Sequence, residues 1–239
     1  MKTIPKSGTP VARRGALTIA LLGTALLVVL APLPRGTTAQ ENAFAGEKVV
    51  HLLQEPRHRT VHNEGELYLL DVQVNPGDES FAHVHDQAIL LTYISNGAGP
   101  RDGSVSANLD YATTPLTHKV ANEGPGLLRI LAFVNGGSGT RASNDQPTGF
   151  TEAPQVENAW FRSWRFELAP GASTPLQKHQ QAGFVAQGTP GLLHVTREDG
   201  ITSELDAPGD WAWRKANMGY TVKNAGSAPV MVVINEGRR

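Results

Sequence analysis

The sequence predicts an all-β protein made of two tandem barrels, and three observations lead there. The 239 residues include 25 Gly and 16 Pro while helical periodicity is scarce, a composition of short strands joined by many turns. Dense β-prone apolar runs recur between turn signals, as over residues 67–74, 88–94 and 127–134. Finally, the chain repeats itself. A strand over 157–168 runs into Ala169, Pro170 and Gly171 as the strand over 67–74 runs into Asn75, Pro76 and Gly77, an offset of 94. Val120, Asn122 and Gly124 are matched by Val222, Asn224 and Gly226, and both halves close on an apolar strand ending in Asn135 or Asn235. The repeated unit is about 90 residues, the size of one small β-barrel.

Pro76 and Gly77 form the turn around which the first unit is arranged. Pro presets φ at the second turn position, and Gly accepts the positive φ that a type II turn needs at the third. Six residues beyond Gly77 comes His83, then Val84, then His85, inside a β-prone run. Side chains two apart on a strand share a face, so His83 and His85 present two imidazoles side by side. Such a pair is half of a metal site. The other ligand is expected from a second strand, with His118 the candidate.

This pattern resembles the first motif of the cupin family: Gly77, five residues, His83, one residue, His85, then Gly97. His118 followed by Asn122 resembles the end of the second cupin motif, whose His is the remaining ligand. The resemblance implies a bicupin with two double-stranded jelly-roll barrels. It places an N-terminal barrel at 46–136, a linker at 137–155 and a degenerate C-terminal barrel at 156–239. One departure stands out. Where the first motif carries a Glu, this chain has Leu90 by the spacing to Gly97, and neighbouring Ile89 is equally unable to coordinate. The second unit departs further, with Gln177, His179, Phe184 and Tyr220 at the four ligand positions. It is expected to hold no metal and to serve as structure, dimer surface or apolar pocket.

The resemblance thus implies a divalent transition metal on His83, His85 and His118, with Fe as first choice and Zn, Ni, Mn or Cu as alternatives. Neutral imidazoles suit all of these, and three ligands leave positions open. Three-histidine cupin enzymes include cysteine dioxygenase-like and diketone-cleaving dioxygenases, so an oxygenase acting on a small organic molecule is one expectation. A non-catalytic binding or scaffold protein without metal is the other.

Other side chains bear on the site. Asp86 is expected to point away from the ligands and Gln87 to lie on the rim. Tyr93 and Tyr111 are core or rim residues that could supply a phenol. His51, His58 and His62 are read as surface residues, and His194 as structural. Trp160, Trp164, Trp211 and Trp213 are read as core or inter-barrel packing.

Charge and the N-terminus narrow the class. Residues 1–39 hold five Lys/Arg and no acid, leaving 16 Lys/Arg against 22 Asp/Glu for the rest. That acidic remainder argues against a nucleic-acid partner, which would need a basic face. Residues 1–39 read as a signal peptide or membrane anchor. Basic Arg13 and Arg14 precede an apolar run, and Thr37 and Ala39 offer a small-residue cleavage site. The chain is therefore expected to be exported, periplasmic or secreted, with membrane anchoring only through its N-terminus. With no Cys it has neither disulfides nor thiolate ligands. A small-molecule ligand is the expected partner, with a homodimer left open.

Overall fold

Both Pro-Gly turns form as the residues dictate. Gly77 and Gly171 each sit at φ +74°, and the turns close through Asp78 N–H to Asn75 C=O and Ala172 N–H to Ala169 C=O, both at 3.0 Å. They belong to a computed structural model that describes residues 43–140 and 145–239. The leader expected over residues 1–39 lies outside the described residues. Among those residues no helix is long and apolar enough to cross a membrane.

The first set of strands runs β1 (Val49–His51), β2 (His58–Glu64), β3 (Leu67–Val74), β4 (Ala82–His85), β5 (Ala88–Asn96), β6 (Pro100–Asn108), β7 (Leu116–His118) and β8 (Leu128–Asn135). They form a five-stranded sheet in the order β2-β3-β8-β5-β6 and a three-stranded sheet in the order β1-β4-β7. The second set runs β9 (Val156–Glu157), β10 (Phe161–Leu168), β11 (Gln177–Lys178), β12 (Gly183–Gln187), β13 (Leu193–Arg197), β14 (Thr202–Leu205), β15 (Trp211–Arg214), β16 (Gly219–Asn224) and β17 (Val230–Gly237). Its sheets have the orders β15-β12-β17-β10-β9 and β11-β16-β13-β14.

The internal repeat has an atomic signature. Asn122 donates its amide to the carbonyls of Val74 and Gly126, both at 2.8 Å, and accepts Gly124 N–H. Asn224 repeats this with Leu168, Ala228 and Gly226. In each half the same Asn backbone carbonyl also receives the turn glycine, Gly77 or Gly171. The halves differ at both edges of the small sheet, where β1 lies beside β4 but, among the described residues, no strand lies outside β11. β13 and β14 extend the small sheet beyond β16, whereas β7 is the outer strand of its sheet.

Alternation sorts each large sheet into two faces. In the first half Leu52, Leu70, Val72, Ile89, Ala132 and Val134 fill the barrel interior. Leu67, Leu69, Leu90, Leu131 and Phe133 face outward, packing against Phe161, Phe184, Ala186 and Val233 of the second half. Phe133 is the centre of this layer, with ring centroids 5.3 Å from Phe184, 5.8 Å from Phe161 and 6.0 Å from Trp213. The layer is tied by polar contacts running both ways. Asn135 donates to the carbonyls of Trp160 and Arg238, and Asn235 donates to Thr92 Oγ1. Trp160, Trp211 and Trp213 all pack at this seam, while Trp164 lies inside the second barrel.

Two expectations change here. Leu90, placed by the motif spacing where a ligand would stand, instead faces the other barrel, because Ile89 takes the inward position and strand side chains alternate. Within the segment read as a linker over 137–155, residues 145–150 are docked on the second barrel. Thr148 bridges Lys178, and Phe150 packs on Trp164, Phe166 and His179. Asp145, buried, pairs with Arg162 and Arg238. An apolar ring and a buried carboxylate hold these residues in place.

Candidate metal centre

The site follows from register. β4 and β7 pair antiparallel with His83 directly opposite His118, and His85 sits two residues along β4 on the same face. Directly opposed residues bring their Cβ atoms within about 5 Å, so all three rings meet over one patch of the small sheet. Ring centroids are 5.0 Å apart for His83 and His85, 4.7 Å for His83 and His118, and 4.8 Å for His85 and His118. One nitrogen from each ring lies within 4.8 Å of the others. The three residues read from the sequence are therefore brought together, as the only such cluster of His, Asp or Glu side chains found among the described residues.

The nitrogens fit an ion. His83 donates Nδ1–H to the Phe81 carbonyl at 2.9 Å, which leaves Nε2 bearing its lone pair. That Nε2 is buried without a hydrogen-bond partner, as is His85 Nδ1. The unpaired His83 Nε2 leaves a lone pair free to ligate, on the ring whose centroid lies 4.7 Å from that of His118. The Nε2 atoms of His85 and His118 are 3.0 Å apart. Two ligands at ordinary metal–imidazole distance and a right angle would be about 3.0 Å apart.

Electrostatics keep the cluster unprotonated. Burial, then the His118 and His83 rings, push His85 down to about 3. Burial, then His83 and His58, push His118 to about 4. Burial also lowers His83, against the opposing pull of the Phe81 carbonyl. At neutral pH the rings are thus neutral, the form that ligates.

The surroundings are apolar on one side and polar on the other. Ile89, rather than the Leu90 given by the motif spacing, takes the inward position on β5, and no carboxylate joins the cluster. Tyr111, carried on a short turn at Asp110–Ala112, lies 4.9 Å from the His85 ring. Asp86 points away and bonds His51 at 3.0 Å. Gln87 lies against Gly136, and the Tyr93 hydroxyl lies 3.2 Å from Ser106 Oγ.

His58 corrects the surface reading. Its residue is 4% exposed, its ring is 4.5 Å from His83, and its Nδ1 is 2.6 Å from Glu55. The reason is a turn followed by a bulge. Glu55 C=O accepts His58 N–H at 3.0 Å with Pro56 at the second turn position, which puts Glu55 and His58 on one side. The register of β2 then shifts between Thr60 and His62, so His62 flips to the other face and packs on Trp213 at 4.1 Å. A Glu-Pro-x-His turn ahead of a strand was the available signal. His194 is a partly exposed strand residue near Glu204.

In the second barrel the same positions hold a closed network. Gln177 pairs with Tyr220 as His83 pairs with His118. His179 contacts Glu236 through Nδ1 at 2.6 Å, and its Nε2 lies 2.9 Å from the Tyr220 hydroxyl and 2.8 Å from Gln177. All four side chains are fully buried. Phe184 faces the seam and Val185 faces inward, as Leu90 and Ile89 do in the first barrel.

No family model matches the chain, and no curated protein matches it. Solved structures do. AerE from Microcystis aeruginosa superposes with a TM-score of 0.50 at 10% identity, over 77% of this chain and 99% of that one. A salicylate 1,2-dioxygenase from Pseudaminobacter salicylatoxidans superposes with a TM-score of 0.51 at 11% identity, over 76% of each chain. A cupin domain from Bordetella pertussis matches at 23% identity over 36% of this chain and 91% of that one, with a TM-score of 0.33. The chain shares with AerE and the salicylate 1,2-dioxygenase a two-barrel jelly-roll fold of the cupin type.

Proposed function

We propose that the first barrel binds one divalent transition metal through His83, His85 and His118, and that the bound protein acts on a small organic anion as an oxygenase-type enzyme. The observation that carries this reading is the convergence of three neutral imidazoles, His83 and His85 buried and His118 half-buried, with one nitrogen of each within 4.8 Å of the others. Bound there, an ion supplies a Lewis acid, and Fe would add redox capacity toward O₂. His83 and His85 hold their positions from one strand and His118 from the next, so the ligands are fixed by backbone register. Ile89 contributes no charge, so an ion keeps its full positive charge and favours anionic oxygen ligands such as carboxylates, phenolates and enolates. Leu52, Leu70 and Ile89 exclude water on the inner side. His118 is the partly exposed ligand, on a strand that no hairpin like β13–β14 flanks. The similarity in fold to a salicylate 1,2-dioxygenase is in keeping with this chemistry. Export through residues 1–39 is part of the proposal.

The test is metal analysis of purified protein, followed by titration of the chelator-treated protein with Fe(II) or Co(II). About one ion per chain is expected. His118→Ala should lose it, and His179→Ala should keep it. Oxygen uptake with Fe(II) and small aromatic or enolic acids then separates catalysis from binding. A protein that takes up no metal, or the same amount after His118→Ala, overturns the assignment.

A further inference from the structure

The sequence lacks a carboxylate at the β5 position of the site, yet a carboxylate stands one layer behind it. Glu55 is delivered by a short 3-10 turn over Leu52–Gln54, and its side chain is fully buried. Its Oε1 accepts Phe81 N–H at 3.1 Å, and its Oε2 faces His58 Nδ1 at 2.6 Å and Arg57 N–H at 2.5 Å. Both main partners reach His83. The Phe81 carbonyl accepts His83 Nδ1–H, and the His58 ring packs on the His83 ring at 4.5 Å with a 54° tilt. The turn itself is clamped by Arg57, whose guanidinium makes two bonds to Asp78 beside the Pro-Gly turn, at 2.9 and 2.6 Å.

We propose, resting on the metal-site reading above, that Glu55 is the positioning carboxylate of this centre, acting through Phe81 and His58 to hold His83 with Nε2 aimed at the ion. Ligating histidines elsewhere are commonly fixed by a carboxylate or carbonyl on the second ring nitrogen, and loss of such a partner costs 10–100-fold in metal affinity. Here one carboxylate serves two imidazoles: it binds His58 directly, and it holds the strand segment whose carbonyl binds His83. Burial alone would raise Glu55, but the His58 contact and the Phe81 and Arg57 amides outweigh it, leaving the carboxyl below its ordinary range. Its negative charge therefore sits just outside the ligand ring rather than in it. This keeps the inner positions free for substrate while favouring cation binding.

The experiment uses the full chain with Glu55→Leu, Glu55→Gln and His58→Gln. In chelator-treated protein, ¹⁵N-resolved NMR of the imidazoles reads the tautomers, and Co(II) titration reads affinity. Wild type should show Nδ1–H at both His58 and His83. Glu55→Leu should mix the His83 tautomers and weaken Co(II) binding 10–100-fold. Glu55→Gln, which keeps an acceptor for Phe81, should stay within about tenfold of wild type. If Glu55→Leu does not fold, His58→Gln carries the test, with about tenfold weaker Co(II) binding expected. Folded variants with wild-type His83 tautomer and wild-type affinity overturn the proposal. A wild type that binds no Co(II) overturns the metal reading instead, and the tautomer measurement still decides whether Glu55 orients His83.

Discussion

Acid should destabilise the second barrel through a single buried ring. His179 is fully buried between Glu236, Gln177 and Tyr220. Burial, then the Arg214 charge, lower it to about 4 against the opposing pull of Glu236. An unfolded chain binds the proton near the ordinary value of 6.5, so the unfolded state gains protons first as pH falls. The associated stability is fully present above pH 6.5 and is lost progressively down to about pH 4. A drop from 6.5 to about 4 corresponds to roughly 3 kcal/mol. The assay is urea unfolding of wild type and His179→Gln at pH 7, 6, 5 and 4. The variant lacks the titrating ring, while the histidines of the first barrel titrate in both proteins and cancel in the difference. The stability gap between wild type and variant should shrink by about 3 kcal/mol across this range. A gap constant to within about 0.5 kcal/mol would refute the reasoning, because the ring would then carry no proton-linked energy.

Other substitutions test the packing. Phe133→Ala empties the centre of the seam, where three aromatic rings converge. It should cost about 3–5 kcal/mol in urea unfolding. The two motif glycines should respond differently. Gly97 sits at φ +81° with the Asn122 carboxamide oxygen 2.0 Å from where a Cβ would stand. Gly97→Ala should therefore cost about 2–4 kcal/mol, combining left-handed strain with disruption of the Asn122 bonds. Gly77 has φ +74° but nothing within 4 Å. Gly77→Ala should cost only about 1–2 kcal/mol, and equal costs at the two positions would contradict the contact argument.

The all-β fold was legible because its determinants are local: Pro76-Gly77 and Pro170-Gly171 specify turns, and alternation specifies faces. His83 and His85 could be paired from spacing alone. His118 needed the resemblance, since nothing local places residue 118 opposite residue 83. What escaped was set by features that spacing cannot encode. The bulge in β2 sends His58 and His62 to opposite faces, although four residues apart on a regular strand they would share one. Leu90 matched the motif count, yet the pleat turned it toward the other barrel and left Ile89 facing in. Glu55 was invisible because its role depends on a backbone amide at Phe81, 26 residues away.

The two barrels share one backbone plan and differ in where their ring nitrogens are used. In the second, both nitrogens of His179 face partners, Gln177 and Tyr220 meet each other, and the fully buried pocket is consumed by its own hydrogen bonds. Such a network fixes a core and leaves no lone pair for an ion. In the first, the outward nitrogen of His83 is pinned by the Phe81 carbonyl, while its inward nitrogen meets only other imidazoles. Three like groups are crowded together with lowered proton affinity, and only His85 and His118 bring ring nitrogens within hydrogen-bond distance of each other. A cation accepting all three lone pairs relieves that crowding, and nothing in the second barrel offers the same gain. The proposed division into a binding barrel and a bracing barrel thus rests on three side-chain differences: Gln177 for His83, Tyr220 for His118, and Glu236 held against His179.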